Sequence, residues 1–562
     1  MFGFAESYAQ FGPPIPILQE KNSPQDISSF LENNTKSDLG MPIYFAGSKE
    51  THLINNTLDT KEGGLTQDLW NGVDQVRVEK LIKELPITQK TYVLRNLMKR
   101  LLMTNSSSPK GFNLDQFMSL KAQLLVKLGD GKAVADLLDY KSINLLDWPV
   151  ARMKLDALLW SDQIERMCHE IKEDIMVFNN QPYWHQLKFF CQWYKEHTIP
   201  ILNASEKKLL GSNGDFFLRL FNWQNEQKDS DKKENFVTAL YFTILKINNQ
   251  LLPQSFYKIT EPIWLISFIE SKDLDPILRR YAAEQGVRQG LFFYENLAPL
   301  YSNFGIVDQS NKQDEIILKN YPAIWKKLQQ DNNPEDRVVF LQKIFVEARK
   351  QGIYKEIAPL YAPFVLEIKP TQELGWFALE AGRLLYFLGF DDQANGWLEI
   401  VKSLVPTRPE MKIQMQKLMV LSIIGTSDVK AEIDYAFLWS IINQEIEKNS
   451  LNISNTKRIS RLSAALTLSY KKEEKDWTEI ADNFSDATET EIDTELWFAT
   501  GDAAVAKYQG LTLLLLFKIF GTTSPGAQKA MYIQKALESL YMIGLYKEAR
   551  QLALAVAIDN GL

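Results

Sequence analysis

The chain has 562 residues, of which 45% are hydrophobic and 24% charged, with a formal net charge of −7. That is the make-up of an ordinary globular protein, long enough for several domains or one extended solenoid. There is no basic excess to recommend a nucleic-acid partner, and two cysteines cannot build a disulfide framework.

Residues 1–65 show no sustained period. They hold the Pro13–Pro16 run, many Asn and Ser, and Gly63-Gly64, which predicts a poorly ordered N-terminal segment. The stretch Phe2–Gln10 has no basic region and too short an apolar run for a complete signal peptide. Two readings stand there. An ordinary start implies the cytoplasm; a Met1 lying inside a longer export signal implies the periplasm.

Helical periodicity begins near Thr66. Val76, Leu81, Ile82 and Leu85 form one apolar stripe, closed by Pro86. Leu94, Leu97, Leu101 and Leu102 form a second, and Asp115–Leu128 carries a third. Gly129 then opens a short turn, and helices continue to Lys195 with a break at Asn179–Pro182. We take 66–204 as an N-terminal helical-repeat region. No run of alternating β-branched residues is long enough for a sheet, which predicts an all-α fold. Residues 205–235 contain Gly211, Gly214 and the charged run Gln224–Asn235, and read as a solvated insertion or hinge.

A second helical-repeat region occupies 236–562. Within it, Glu295–Tyr301 and Lys355–Tyr361 resemble one another and read as equivalent helix starts, with proline tolerated in the first turn. Leu511–Phe520 is the most apolar run. It is about half a bilayer span long and carries Lys518, so it predicts a buried core helix and no membrane span. Glu473–Glu495 is acidic but lacks the spacing of a calcium loop, and reads as a solvated loop or exposed helix.

The clearest unit is Ala378–Val401. Ala381, Leu384, Leu385 and Leu388 share one helix face, Gly389 ends that helix, and Asp391 or Asp392 is placed to cap the next. Ala394, Trp397, Leu398 and Val401 repeat the same cadence. The unit recurs at Ala536–Gly561, where Leu537, Leu540 and Tyr541 precede Gly544, and Ala549, Leu552, Ala553 and Val556 follow it. A glycine followed five residues later by a small or apolar residue marks Gly389–Ala394 and Gly544–Ala549, and more loosely Gly129–Val134 and Gly352–Ile357. One such hairpin cannot bury both its stripes and needs neighbours. The expectation is an irregular α-solenoid, a superhelix of stacked antiparallel helix pairs.

These hairpins resemble tetratricopeptide (TPR) repeats, most closely in Gly544–Ala553, where Gly544, Tyr546, Ala549 and Ala553 fall in the TPR arrangement. Gly352 and Gly389 are 37 residues apart, near the TPR period. The other spacings are irregular, and the helix-closing proline is mostly missing. The chain also resembles a group of alphaproteobacterial helical-repeat proteins through Gly63–Gly72, Ala381–Leu398 and the C-terminal Glu548–Leu562. That group often carries an N-terminal export signal, but the resemblance implies no activity.

The chain lacks the phosphate-loop, dinucleotide-binding, nucleophile-elbow and H-E-x-x-H motifs, and no cofactor is expected. One constellation stands out: Cys168, His169, His185, Cys191 and His197 combine both cysteines with three of the four histidines. Thiol and imidazole are the usual zinc ligands. Yet six-residue steps on a helix send His185, Cys191 and His197 to different sides. Core cysteines beside partly exposed histidines are the plainer reading, and a Cys168–Cys191 disulfide between consecutive antiparallel helices is a further one if the protein is exported. Two functions remain. One is a non-enzymatic scaffold or adaptor that binds a protein or peptide on a helical-repeat surface. The other is an all-α glycan-processing enzyme, of the α-toroid or transglycosylase kind, which would need two convergent carboxylates.

Overall fold

The computed structural model describes residues 58, 63–86, 91–171, 177–222, 238–248, 252, 254–272, 274–291, 321–330, 333–425, 435–443, 453–469 and 493–562. Among these the protein is all-α. No strand forms, and the extended pairing is confined to two isolated bridges, Leu58 with Thr104 and Asp74 with Lys110. Almost all of the 1–65 segment, the acidic stretch up to residue 492, the Gln224–Asn235 run and Glu295–Tyr301 lie outside the described residues.

The described residues fall into two compact units. One is drawn from Gly47–Glu79 and Asn96–Leu291, the other from Lys80–Arg95 and Phe292–Leu562. The division falls inside α1 (Gln75–Lys83) and α2 (Tyr92–Met103), and again after Leu291 rather than in 205–235. Residues 205–222 are largely helical. Phe217 and Phe221 are buried there, packing on Phe189 at 5.6 and 5.2 Å, so this part of 205–235 joins the core of its unit.

The first unit continues with α3 (Leu114–Leu128), α4 (Gly131–Leu137), α5 (Trp148–Trp160), α6 (Ile164–Glu170) and α7 (Pro182–Glu196). Beyond these come α8 (Ala204–Leu209), α9 (Gly214–Arg219), α10 (Ala239–Ile247), α11 (Pro262–Glu270) and α12 (Pro276–Arg288). Its core is rich in aromatic contacts: Trp264 meets Phe242 and Phe256 edge-on, and Phe268 packs tilted against Phe242. Val76, assigned to the inner stripe of α1, is exposed instead, while Val78, Leu81 and Ile82 carry that stripe.

The second unit comprises α13 (Tyr321–Gln330), α14 (Pro334–Lys350), α15 (Tyr354–Ile357), α16 (Ala362–Leu366), α17 (Ala378–Leu388), α18 (Asp391–Leu404), α19 (Lys412–Gly425), α20 (Tyr435–Asn443) and α21 (Ile453–Ala465). It ends with α22 (Thr494–Val505), α23 (Gln509–Phe520), α24 (Ala530–Met542) and α25 (Tyr546–Asp559). As the apolar run predicts, α23 is core: Leu511 through Phe517 are all buried. No helix among the described residues is long and apolar enough to cross a membrane. At Lys355–Tyr361 the chain passes from α15 into a 3₁₀ turn with Pro359 in its first turn.

The recurring feature is the helix-to-helix turn. Gly129, Gly352, Gly389 and Gly544 all have left-handed backbones, with φ of 86°, 68°, 82° and 83°. In each, the next residue's N–H donates back to a carbonyl five residues earlier: Asp130 to Leu125, Ile353 to Ala348, Phe390 to Leu385 and Leu545 to Leu540, at 2.9–3.0 Å. This is the Schellman closure, which satisfies carbonyls that a helix end leaves orphaned. The same bond occurs at two non-glycine turns, Asp162 (φ 59°) and Lys507 (φ 60°), through Gln163 to Leu158 and Tyr508 to Ala503. Five residues after the left-handed position stand Val134, Met167, Ile357, Ala394, Thr512 and Ala549, and every one is wholly buried. The turns form consecutive pairs at 129/162, 352/389 and 507/544, spaced 33, 37 and 37 residues. Helices joined so tightly must run antiparallel.

The Ala378–Val401 and Ala536–Gly561 hairpins, far apart in sequence, pack directly on one another. Asp391 does not cap α18 with its side chain. Its carboxylate instead accepts two bonds from the Arg550 Nη2 on α25, at 2.7 and 2.6 Å. The end of α25 is held from several directions: Arg383 Nε donates to Leu562 O (2.6 Å), Arg458 donates to Asn560 O, and Lys355 pairs with Asp559 (2.5 Å). Cations at the negative end of a helix dipole are favourable.

Candidate functional site

The Cys/His helices lie in the first unit. Asp162 turns α5 into α6, which carries Cys168 and His169; α7 begins at Pro182 and carries His185 and Cys191. Cys168 and Cys191 are joined as a disulfide, with Cα atoms 5.4 Å apart. The two sulfurs are therefore bonded to each other rather than available as thiolate ligands. The histidines do not converge on them. His169 is exposed, the His185 Nε2 lies 2.8 Å from Asn179 O, and His197 sits exposed at the left-handed end of α7. Among the described residues no group of three or more His, Cys, Asp or Glu side chains is arranged to hold a metal ion. The neighbouring aromatics are core, with Trp184 and Phe190 fully buried.

Asp156 and Lys121 are among the ionisable groups of this unit whose proton affinities burial displaces. Burial pushes the Asp156 carboxyl up to about 6, opposed by the Tyr183 hydroxyl that donates to it at 2.5 Å and by Arg152 at 3.5 Å. Arg152 also stacks on the Tyr183 ring, 4.5 Å from its centre. The partners of Asp156 are thus a phenol and a guanidinium, not the second carboxylate that glycoside hydrolysis requires. Lys121 is buried with its Nζ 3.4 Å from Thr104 O, and burial pushes its amine down to about 7. In the second unit, Glu380 is buried between Arg349 and Arg383. Burial pushes its carboxyl up, but the two guanidiniums outweigh this and hold it below the ordinary value.

Exposed apolar side chains stand on α22 and on α24, two helices that lie side by side. Tyr532 Oη accepts from the Asp493 N–H at 2.8 Å, and Lys535 Nζ sits 3.7 Å from the Trp497 ring centre, which fixes their register. The outer line of α22 exposes Phe498 (61%) and Val505 (70%), seven residues apart and so on one face. Met531, Tyr541 and Met542 are exposed along α24, and Tyr541 packs edge-on against exposed Tyr546 with ring centres 4.6 Å apart. Tyr541 was expected to face inward with Leu537 and Leu540, but it lies one helical step beyond that stripe and is 52% exposed. The sequence signal for this face was present. In α22 the seven-residue pair stands apart from the small, buried Thr500, Ala503 and Ala504 that mark the inner side.

Comparison with models of protein families, with curated proteins and with solved structures finds no match to this chain.

Proposed function

We propose that this protein is a non-enzymatic scaffold or adaptor: an irregular, TPR-like α-solenoid of stacked antiparallel helix pairs that binds a protein or peptide. The observation that carries this reading is the exposed line of Phe498 and Val505 on α22 beside Met531, Tyr541 and Met542 on α24. Large apolar side chains grouped on adjacent helices and left to water are the usual mark of an interaction site. The recurrence of one turn geometry at six helix-to-helix turns among the described residues supports the repeat reading, since each hairpin must be covered by a neighbour.

The test is a parallel capture from the native host. The full chain and a Phe498→Glu, Val505→Glu variant serve as baits, and the retained partner is then purified and titrated against both. The expected result is a partner held by the parent whose binding is weakened at least ~10-fold by the double substitution, as for loss of central apolar anchors. Equal binding by parent and variant, or turnover of a glycan by the purified protein without a stable partner, would overturn the proposal.

A further inference from the structure

The Cys168–Cys191 bond is placed between two kinds of attachment. On one side α6 is tied by ion pairs: Arg166 reaches Asp136 (3.4 Å) and Asp139 (3.0 Å), while Glu170 meets Lys154 (3.0 Å) on α5. On the other side the disulfide joins α6 to α7, closing a loop across a sequence separation of 23 residues. Met167 is buried beside it, its Sδ 4.0 Å from the Cys191 Sγ. The cysteines themselves are only half-buried. A disulfide with that exposure is within reach of dithiol reagents.

These are the only two cysteines in 562 residues, so the pairing has no competitor within the chain. Cytosolic reductants keep such a pair as thiols, whereas oxidising compartments keep it joined. We infer that Cys168 and Cys191 form a reducible staple, made where the protein meets an oxidising environment, that holds α6 against α7. In forming it, the two thiols lose two protons and two electrons to an oxidised disulfide catalyst, which leaves as a dithiol. A dithiol reductant reverses the step. Reduction frees the α6–α7 junction, while the ion pairs keep α6 on α5 and on Asp136 and Asp139 at the end of α4.

Two measurements decide this. In the first, native cells are quenched in acid, free thiols are blocked with one maleimide, and disulfides are then reduced and labelled with a heavier one. Both cysteines should carry the heavier label; both carrying the lighter one overturns the oxidising environment. In the second, hydrogen exchange is followed by mass spectrometry on the purified full chain with and without a phosphine reductant. Peptides covering residues 164–196 should exchange on the order of 10- to 100-fold faster after reduction, with those covering Asp391–Leu404 unchanged. Unaltered exchange over 164–196 overturns the staple. A Cys168→Ser, Cys191→Ser variant should give the reduced pattern with or without reductant, and protection equal to that of the oxidised parent counts against the staple.

Discussion

At the scale of single residues, the buried amine of Lys121 has the clearest consequence. Its folded value of about 7 lies well below the ~10.4 of an exposed lysine. Between those values the unfolded chain binds more protons than the folded one, so this group makes stability rise with pH across the window. Below about 7 both states are charged and the burial cost is fully felt. Lys121→Met should therefore be more stable than the parent near pH 6, by on the order of 3 kcal/mol, with the gap closing towards pH 10. Urea unfolding of parent and variant at several pH values measures it, and a gap independent of pH would show that the amine is charged when folded. Asp156 acts with the opposite sense. Its folded value is raised, so its stabilisation is present below the unfolded value and is lost as pH rises through about 6. Neither group was legible in the sequence. Lys121 and Asp156 look like any lysine and aspartate on an amphipathic helix, and burial by residues remote in the chain shifts them both.

The recurring element is the turn, and its substitutions should rank by backbone and by space. A Cβ at Gly544 meets nothing within 4 Å, so Gly544→Ala costs only the left-handed backbone, about 1 kcal/mol. A Cβ at Gly129 would approach the Pro262 carbonyl group at 2.9 Å and Ile266 Cδ1 at 2.7 Å, so Gly129→Ala should cost more. Lys507→Gly relieves a left-handed lysine and should stabilise by roughly 0.5–1 kcal/mol, less the entropy glycine adds to the unfolded chain. Thermal unfolding of the three variants gives the order directly, and Lys507→Gly at or below the parent would sink the argument. The glycine turns were readable because glycine advertises a left-handed position. Asp162 and Lys507 were not, because an ordinary residue gives no sign in the sequence of the left-handed backbone it adopts there.

At the scale of the whole molecule, the packing of α25 on α17 and α19 decides how the second unit closes. Arg383 is buried between Glu380 and the main-chain oxygen of Leu562. Arg383→Met leaves that oxygen without this donor and Glu380 with Arg349 alone. It should destabilise the unit by about 3–5 kcal/mol, whereas Arg550→Ala, which breaks a half-exposed pair with Asp391, should cost roughly 1 kcal/mol. Denaturant unfolding followed by the fluorescence of Trp397 in single-tryptophan backgrounds would separate the two, and equal losses would mean that burial of Arg383 carries no special weight. The sequence by itself determined the helical character, the inward stripes of the two clear hairpins apart from Tyr541, the glycine turns and the burial of most of Leu511–Phe520. All of these follow from local periodicity and backbone preference, which act over a few residues. Only the tertiary structure decided that the two hairpins meet, that Asp391 binds Arg550 rather than capping its helix, that Cys168 pairs with Cys191, and that Phe498 and Val505 are left facing water. A helical stripe records that a face is apolar, but which neighbour covers it, or whether any does, depends on elements far along the chain.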